Sequence, residues 1–286
     1  MGKRRSGEAC KNQIESFREY LEDKELSDNT VRAYITAMEQ YFSSFGKISK
    51  KNGLDWKREL QEKGLKAKSI NIKLNAFNSF CGMVHDDGSK VKTMRVHQAT
   101  AVSNVISEQD YKKLLDGLKN DGNMRWYYNI KLLASTGCRV SEYVRLKKTD
   151  FSRGYAEMWT KGKIRRIYIP KSFLDEADGY YSGFGPDDFL AVGRDGGQIT
   201  TRGVSQMLMT FAARYGIDKK VMHPHSFRHM FAVQFLRRNN NISLLADVLG
   251  HSDVNTTKKH YAALEDERRR SARNAVKLRE NQGITP

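Results

Sequence analysis

The chain has 286 residues, 39% of them hydrophobic, and carries 50 Lys and Arg against 33 Asp and Glu, a net charge of +17. That length supplies two ordinary domains or one large one, and the apolar fraction excludes a disordered polymer. No apolar run approaches a membrane span and the opening MGKRRSGEAC lacks the apolar core of a signal peptide, so no membrane association is expected. The opening does fit the short N-myristoylation pattern, a match common by chance. Cys10, Cys81 and Cys138 are odd in number, far apart and unlike a zinc pair, as expected of reduced thiols in a cytoplasm. The positive excess is +6 over residues 1–100 and +11 over the remainder. A solvated cationic surface would account for it, but two basic halves favour a polyanion, nucleic acid above all, as the partner.

The first hundred residues read as helices. Ile14, Phe17 and Leu21 begin a short apolar face. Ser27 to Thr30 offer N-caps to a stripe of Val31, Tyr34, Ile35, Met38, Tyr41, Phe42 and Phe45, with Gly46 as its stop. Leu54, Trp56 and Leu60 mark a weaker segment, and Ile70, Leu74, Phe77 and Val84 a fourth face beside Phe80. From His85 to about Val105 the periodicity fades. Ser107 with Asp110 three residues on then opens a helix, followed by helices over 124–135 and 139–146. YAEMWTKGKIRRIYIP, residues 155–170, reads as a β-hairpin turning at Lys161-Gly162-Lys163. A Gly- and Asp-rich loop follows. Helical spacing returns at Val204, Met207, Leu208, Phe211 and Tyr215 and continues to the end. The expected fold is mainly α with a small antiparallel β-sheet, in units of 1–98 and 107–286 joined by a linker at 99–106.

Five of the seven histidines fall between His223 and His260, three of them in HPHSFRHMF. Zinc is one reading, because His225 and His229 share a helix face. A third ligand would have to come from His223 or His251, Arg228 would stand beside the metal, and no glutamate occupies the base position of an HExxH helix. A phosphate-binding reading uses more residues. Arg228 lies one turn from His225, and TGCRVSE offers Arg139 with Glu142 one turn on. Two guanidiniums clamp the oxygens of a phosphodiester and stabilise its transition-state charge. Lys161 at a hairpin turn could enter a groove and protonate a leaving oxygen, and LGHSDVNTTKKHY adds His251 and a nucleophile candidate, Tyr261. No Walker A or GxGxxG motif is present, so neither metal nor nucleotide cofactor is expected.

In that order the segments resemble the tyrosine recombinases, the lambda-integrase-like family. TGCRVSE resembles the first arginine box, TKGKIRRIYIP the lysine hairpin, HPHSFRHMF the H-x-x-R-H box, and LGHSDVNTTKKHY the segment of the last histidine and the nucleophilic tyrosine. SDNTVRAY and LKAKSINIKLNAFNSF resemble helices of the core-binding domain, more loosely, and with the chain starting almost directly at that domain no arm-binding domain is expected, as in the simple Xer-like members. The resemblance implies a helical SAM-like core-binding domain before a catalytic domain that ends in a C-terminal helix. It implies that Arg139 and Arg228 bind the scissile phosphate and that Lys161 is the general acid. His225 would act in proton transfer, His251 hydrogen-bond the phosphate, Tyr261 attack, and Glu142 orient Arg139. His229 would support the helix from behind, and His223 receives no role. Lys68, Lys163, Arg202 and Gln206 are the DNA-contact candidates. The implied partners are duplex DNA with inverted-repeat half-sites, held in a clamp by the two domains, and further copies in a homotetramer that exchanges strands through a Holliday junction. The implied setting is cytoplasmic, at the nucleoid when bound to DNA. The rival readings are a type IB topoisomerase and a DNA-binding protein that keeps the fold without catalysis.

Overall fold

The computed structural model describes residues 2–96, 104–160 and 163–250. The chain divides into two compact units, residues 1–98 and 99–286. The first holds α1 (Gly2–Asp23), α2 (Asp28–Ser44), α3 (Lys50–Glu62) and α4 (Ala67–Met83). Ser27 caps α2 by accepting from the Thr30 N–H, and Ser49 caps α3 through Asn52. The apolar stripes of all four helices close on one core that includes Phe17, Met38, Tyr41, Trp56, Leu74 and Phe77.

Three sequence expectations in this unit are corrected. Helix α2 stops at an extended Phe45 whose ring stacks on Tyr41, so Gly46 is not its cap. Leu54 is exposed, and the buried face of α3 is Gly53, Trp56 and Leu60, the spacing of one helix side. Val84 lies past the end of α4 and is exposed, while Cys81 completes the buried face.

The stretch after α4, where periodicity fades, is held tightly. A 3-10 turn (Asp87–Ser89) leads into an extended segment that lies along α4. Asn78 pairs with both main-chain groups of Val91, donating at 2.9 Å and accepting at 2.8 Å; Asn71 does the same for Met94 at 2.9 and 2.7 Å. The two asparagines are seven apart, two helical turns, and so act along one face as a substitute for a partner strand. A side-chain ladder of this kind leaves no apolar periodicity to read.

The second unit contains α5 (Glu108–Asn120), α6 (Met124–Thr136), α7 (Val140–Tyr143), α8 (Lys148–Arg153), β1 (Tyr155–Thr160), β2 (Lys163–Tyr168), α9 (Lys171–Tyr181), α10 (Thr201–Tyr215), α11 (Pro224–Arg238) and α12 (Ile242–Leu249). The helix expected over 139–146 is only one turn. Past Tyr143 the chain tightens to i→i−3 bonds, and Leu146, fully buried, gives its carbonyl to the Leu190 N–H at 2.8 Å. That pairing takes residues 146 and 147 out of the helix. The region expected to be loop after the hairpin begins with α9, whose buried Phe173, Ala177 and Tyr181 fall at four-residue steps.

β1 and β2 pair antiparallel, with Tyr155 opposite Tyr168 and Met158 opposite Arg165. Strand alternation sends Ala156, Met158 and Ile167 into the core and leaves Trp159, Ile164 and Tyr168 exposed. Lys163 is the first residue of β2 rather than part of the turn.

Replacing Asn78 by Ala strands the Val91 N–H and carbonyl, a cost of about 1–3 kcal/mol in urea unfolding. Amide exchange at Val91 is expected to accelerate while the α2 and α4 core amides stay protected.

Candidate functional site: an arginine cradle at the end of α12

Helix α6 ends at Gly137, φ +59, where a Cβ would lie 2.4 Å from the Phe231 ring of α11. Only glycine allows both that left-handed turn and that approach. The turn delivers Arg139 to the N-cap of α7. Glu142 reaches back to it, accepting from the Arg139 N–H at 2.8 Å and from its Nη1 at 3.0 Å.

Arg228 arrives from the first turns of α11. That helix is capped by His223, whose Nδ1 accepts from the Ser226 N–H at 3.1 Å, with Pro224 at its first position. Burial holds the His223 imidazole below its ordinary pKa, which favours the neutral acceptor the cap requires. Ser226, fully buried, in turn accepts from the Ile106 N–H at 2.7 Å. His223 therefore has a structural task that the sequence reading did not assign. His225, on the exposed side, meets His229 edge to face with ring centroids 4.5 Å apart. The four-residue step puts both on one face, so His229 stands beside His225 rather than behind the helix.

Arg228 is 2% exposed and donates to the Gly137 carbonyl at 2.8 Å and to the Leu249 carbonyl at 2.7 Å. Burial, then the neighbouring Arg139 and Arg165 guanidiniums, bring its pKa down to about 10. Arg139 donates through Nη2 to the Gly250 carbonyl at 2.9 Å. A third arginine completes the set. Arg165 of β2 donates to both Glu142 oxygens at 2.6 Å and to the Val248 carbonyl at 2.7 Å. The last carbonyls of a helix have no partner inside it. Here three successive ones, at residues 248, 249 and 250, are each held by a different guanidinium.

Burial alone would raise the Glu142 carboxyl. The Arg139 N–H and the Arg165 guanidinium outweigh it, and Glu142 sits below its ordinary pKa. Among the described residues, three guanidiniums stand against one carboxylate, an excess of positive charge with directed donors, suited to a phosphate. Arg165 was not singled out in the sequence. The signal was available: strand alternation puts it in register with the buried Ile167, and an inward charge needs a partner.

Arg139, Glu142 and Arg228 thus come together, with His225 three residues before Arg228. Lys161, His251 and Tyr261 lie outside the described residues, as does the C-terminal helix expected beyond Leu264. Arg202 and Gln206 are exposed one turn apart on α10, and Lys68 is exposed on α4. Among the described residues, no group of three or more His, Cys, Asp or Glu could hold a metal ion, and no helix is long and apolar enough to cross a membrane. Cys81 and Cys138 are buried thiols, each pushed up to about 11 by burial.

Comparison with known proteins gives a consistent picture. Residues 104–268 match the phage integrase family, and residues 14–84 match the phage integrase N-terminal SAM-like domain. Tyrosine recombinase XerA of Pyrococcus furiosus is 28% identical over 256 residues, covering 86% of this chain and 87% of its own. Tyrosine recombinase XerC of Bacillus subtilis is 27% identical over 281 residues, covering 88% and 91%. The Tn1549 transposon integrase, solved in complex with transposon right end DNA, shares the fold with a TM-score of 0.70 at 17% identity, covering 91% and 99%.

The depressed Glu142 pKa fixes a sign. The unfolded chain binds the proton more readily, so this stabilisation is complete above the ordinary value of 4.5 and is lost as pH falls through the folded pKa. Glu142→Gln is therefore expected to be less stable than the parent at neutral pH, with the gap closing in acid. Urea midpoints of both proteins across about pH 3 to 7 measure it.

Proposed function

The chain belongs to the phage integrase family and is a site-specific tyrosine recombinase that cuts and rejoins DNA; from that premise we propose how its own residues carry the reaction. Arg139 and Arg228 bind the non-bridging oxygens of the scissile phosphate. The Tyr261 oxygen attacks phosphorus, its proton leaving through His225, and a 3′-phosphotyrosyl link forms. The bond to the 5′ oxygen breaks and Lys161 gives that oxygen its proton. His251 donates to the phosphate. In the reverse direction a 5′ hydroxyl from the partner strand attacks, tyrosine leaves, and one strand has been exchanged. Two such exchanges on paired inverted-repeat sites, in a homotetramer, make and resolve a Holliday junction.

The observation that carries this reading is the meeting of Arg139 and Arg228 on the carbonyls of residues 250 and 249, directly before His251 in the chain. Two family boxes far apart in sequence converge on the start of a third. The guanidiniums supply in the transition state the charge neutralisation that a metal supplies in other phosphoryl transfers. Phosphodiester energy is kept in the covalent link, so no nucleotide is consumed. Both basic units contribute DNA contacts, with Lys68 from the first and Lys163 from the second, where Arg202 and Gln206 are the candidates for contacting bases.

The reading is tested on a nicked duplex enriched by the full-length protein from a random-sequence pool. Tyr261→Phe is expected to keep duplex binding and lose all covalent adduct, while His260→Ala keeps it, since the tyrosine oxygen is the proposed nucleophile. Peptide mapping of the trapped complex locates the link; an adduct on His260, or one surviving in Tyr261→Phe, overturns the assignment. Arg228→Lys is expected to be severely impaired, because an ammonium cannot reproduce the guanidinium fork. Supercoil relaxation without two-site recombination would instead favour topoisomerase action.

A further inference from the structure

Among the described residues, Arg165 makes its polar contacts inward only. Its side chain is 9% exposed, one terminal nitrogen is spent on Glu142 and the other on the Val248 carbonyl, and its buried Nε has no hydrogen-bond partner among the described residues. An unpartnered buried donor is costly, and apolar side chains of similar volume often replace buried ion pairs without loss of stability. Stability alone is therefore a poor account of an arginine here. Its path is equally constrained. Gly250, φ +63, closes α12, and a Cβ there would fall 2.3 Å from Arg165 Cδ and 2.5 Å from its Nε. Arg165 crosses over the one position in this turn that has no side chain.

We propose that Arg165 is a positioning residue for strand cleavage, fixing Glu142, and through it Arg139, against the last turn of α12. This rests on the reading of the cradle as the phosphate site. Glu142 accepts from the Arg139 main chain, the Arg139 guanidinium and Arg165. Without Arg165 the carboxylate loses the cation that opposes Arg139 and turns towards it. The Arg139 guanidinium is then drawn from the phosphate. The effect falls on the geometry of the reacting phosphate. Duplex affinity, which sums many phosphate contacts, is little changed.

The test uses the full-length protein and the nicked duplex enriched from a random-sequence pool. Binding, single-turnover adduct formation and thermal melting are measured for the parent, Arg165→Met, Arg165→Lys, Arg139→Ala and Arg139→Ala/Arg165→Met. Arg165→Met is expected to bind within about threefold of the parent and to form adduct about 100-fold more slowly, the scale of an ångström-sized misplacement. Because Arg165 acts through Arg139, adding Arg165→Met to Arg139→Ala should slow cleavage by less than about threefold more. Arg165→Lys keeps the charge but not the fork and should remain at least about tenfold slow. Should Arg165→Met not fold, Gly250→Ala displaces the same side chain without removing its charge, and the same defect with retained binding is expected. Cleavage by Arg165→Met within about threefold of the parent, or losses in the double variant that multiply, overturn the proposal. So does a binding loss that tracks lowered melting, which would make Arg165 merely structural. Absence of adduct with the parent protein strikes the phosphate-site reading itself, and this inference with it.

Discussion

The end of α12 has an electrostatic problem whose solution organises the catalytic unit. Its last carbonyls lack partners within the helix and carry the negative end of the helix dipole. Arg165, Arg228 and Arg139 take them in order, from the hairpin, from α11 and from the turn after α6. The need is mutual. Burial first, and then repulsion between guanidiniums so close together, lower the Arg228 pKa, and carbonyl oxygens with the Glu142 carboxylate supply the compensating negative charge. Four elements are tied at one point by groups that cannot be satisfied separately.

That arrangement suits a recombinase. A phosphodiester brings the kind of charge the cradle lacks, and its donors are already oriented, which is where catalysis by electrostatic preorganisation gains most. The chain order matters too: the residue after the clamped carbonyls is His251. Helix α12 is attached to the second half of α11 by its own small apolar cluster of Ala232, Leu236, Leu245 and Leu249, separate from the main core. The arginines therefore join that small cluster to the core that carries α6 and the hairpin.

Much of this was legible in the residues. Apolar spacing located most helices, and the period-two pattern of 155–168 located the hairpin. The boxes around Arg139 and Arg228 named two members of the cradle and the Glu142 that orients one. The losses have physical causes. Asn71 and Asn78 order residues 90–96 by side-chain hydrogen bonds, which leave no hydrophobic period. Helix α7 ends after one turn because Leu146 pairs with Leu190, a contact 44 residues away along the chain. Helix α9 was hidden by Gly179 and its acidic residues, although its buried stripe was present. Arg165 was passed over as one of several cations in KGKIRR, and only the inward register of β2 separates it from the exposed Arg166. His223 looked idle because its role, capping α11, is local.

The central claim is that the cradle binds the scissile phosphate while α12 stays clamped. A crystal structure of the full-length protein on its enriched nicked duplex tests this most directly. The account predicts the phosphate within hydrogen-bonding reach of Arg139 and Arg228, with Arg165 still joining Glu142 to the Val248 carbonyl. A scissile phosphate held by other cations, with Arg139 and Arg228 turned away from it, would contradict the account.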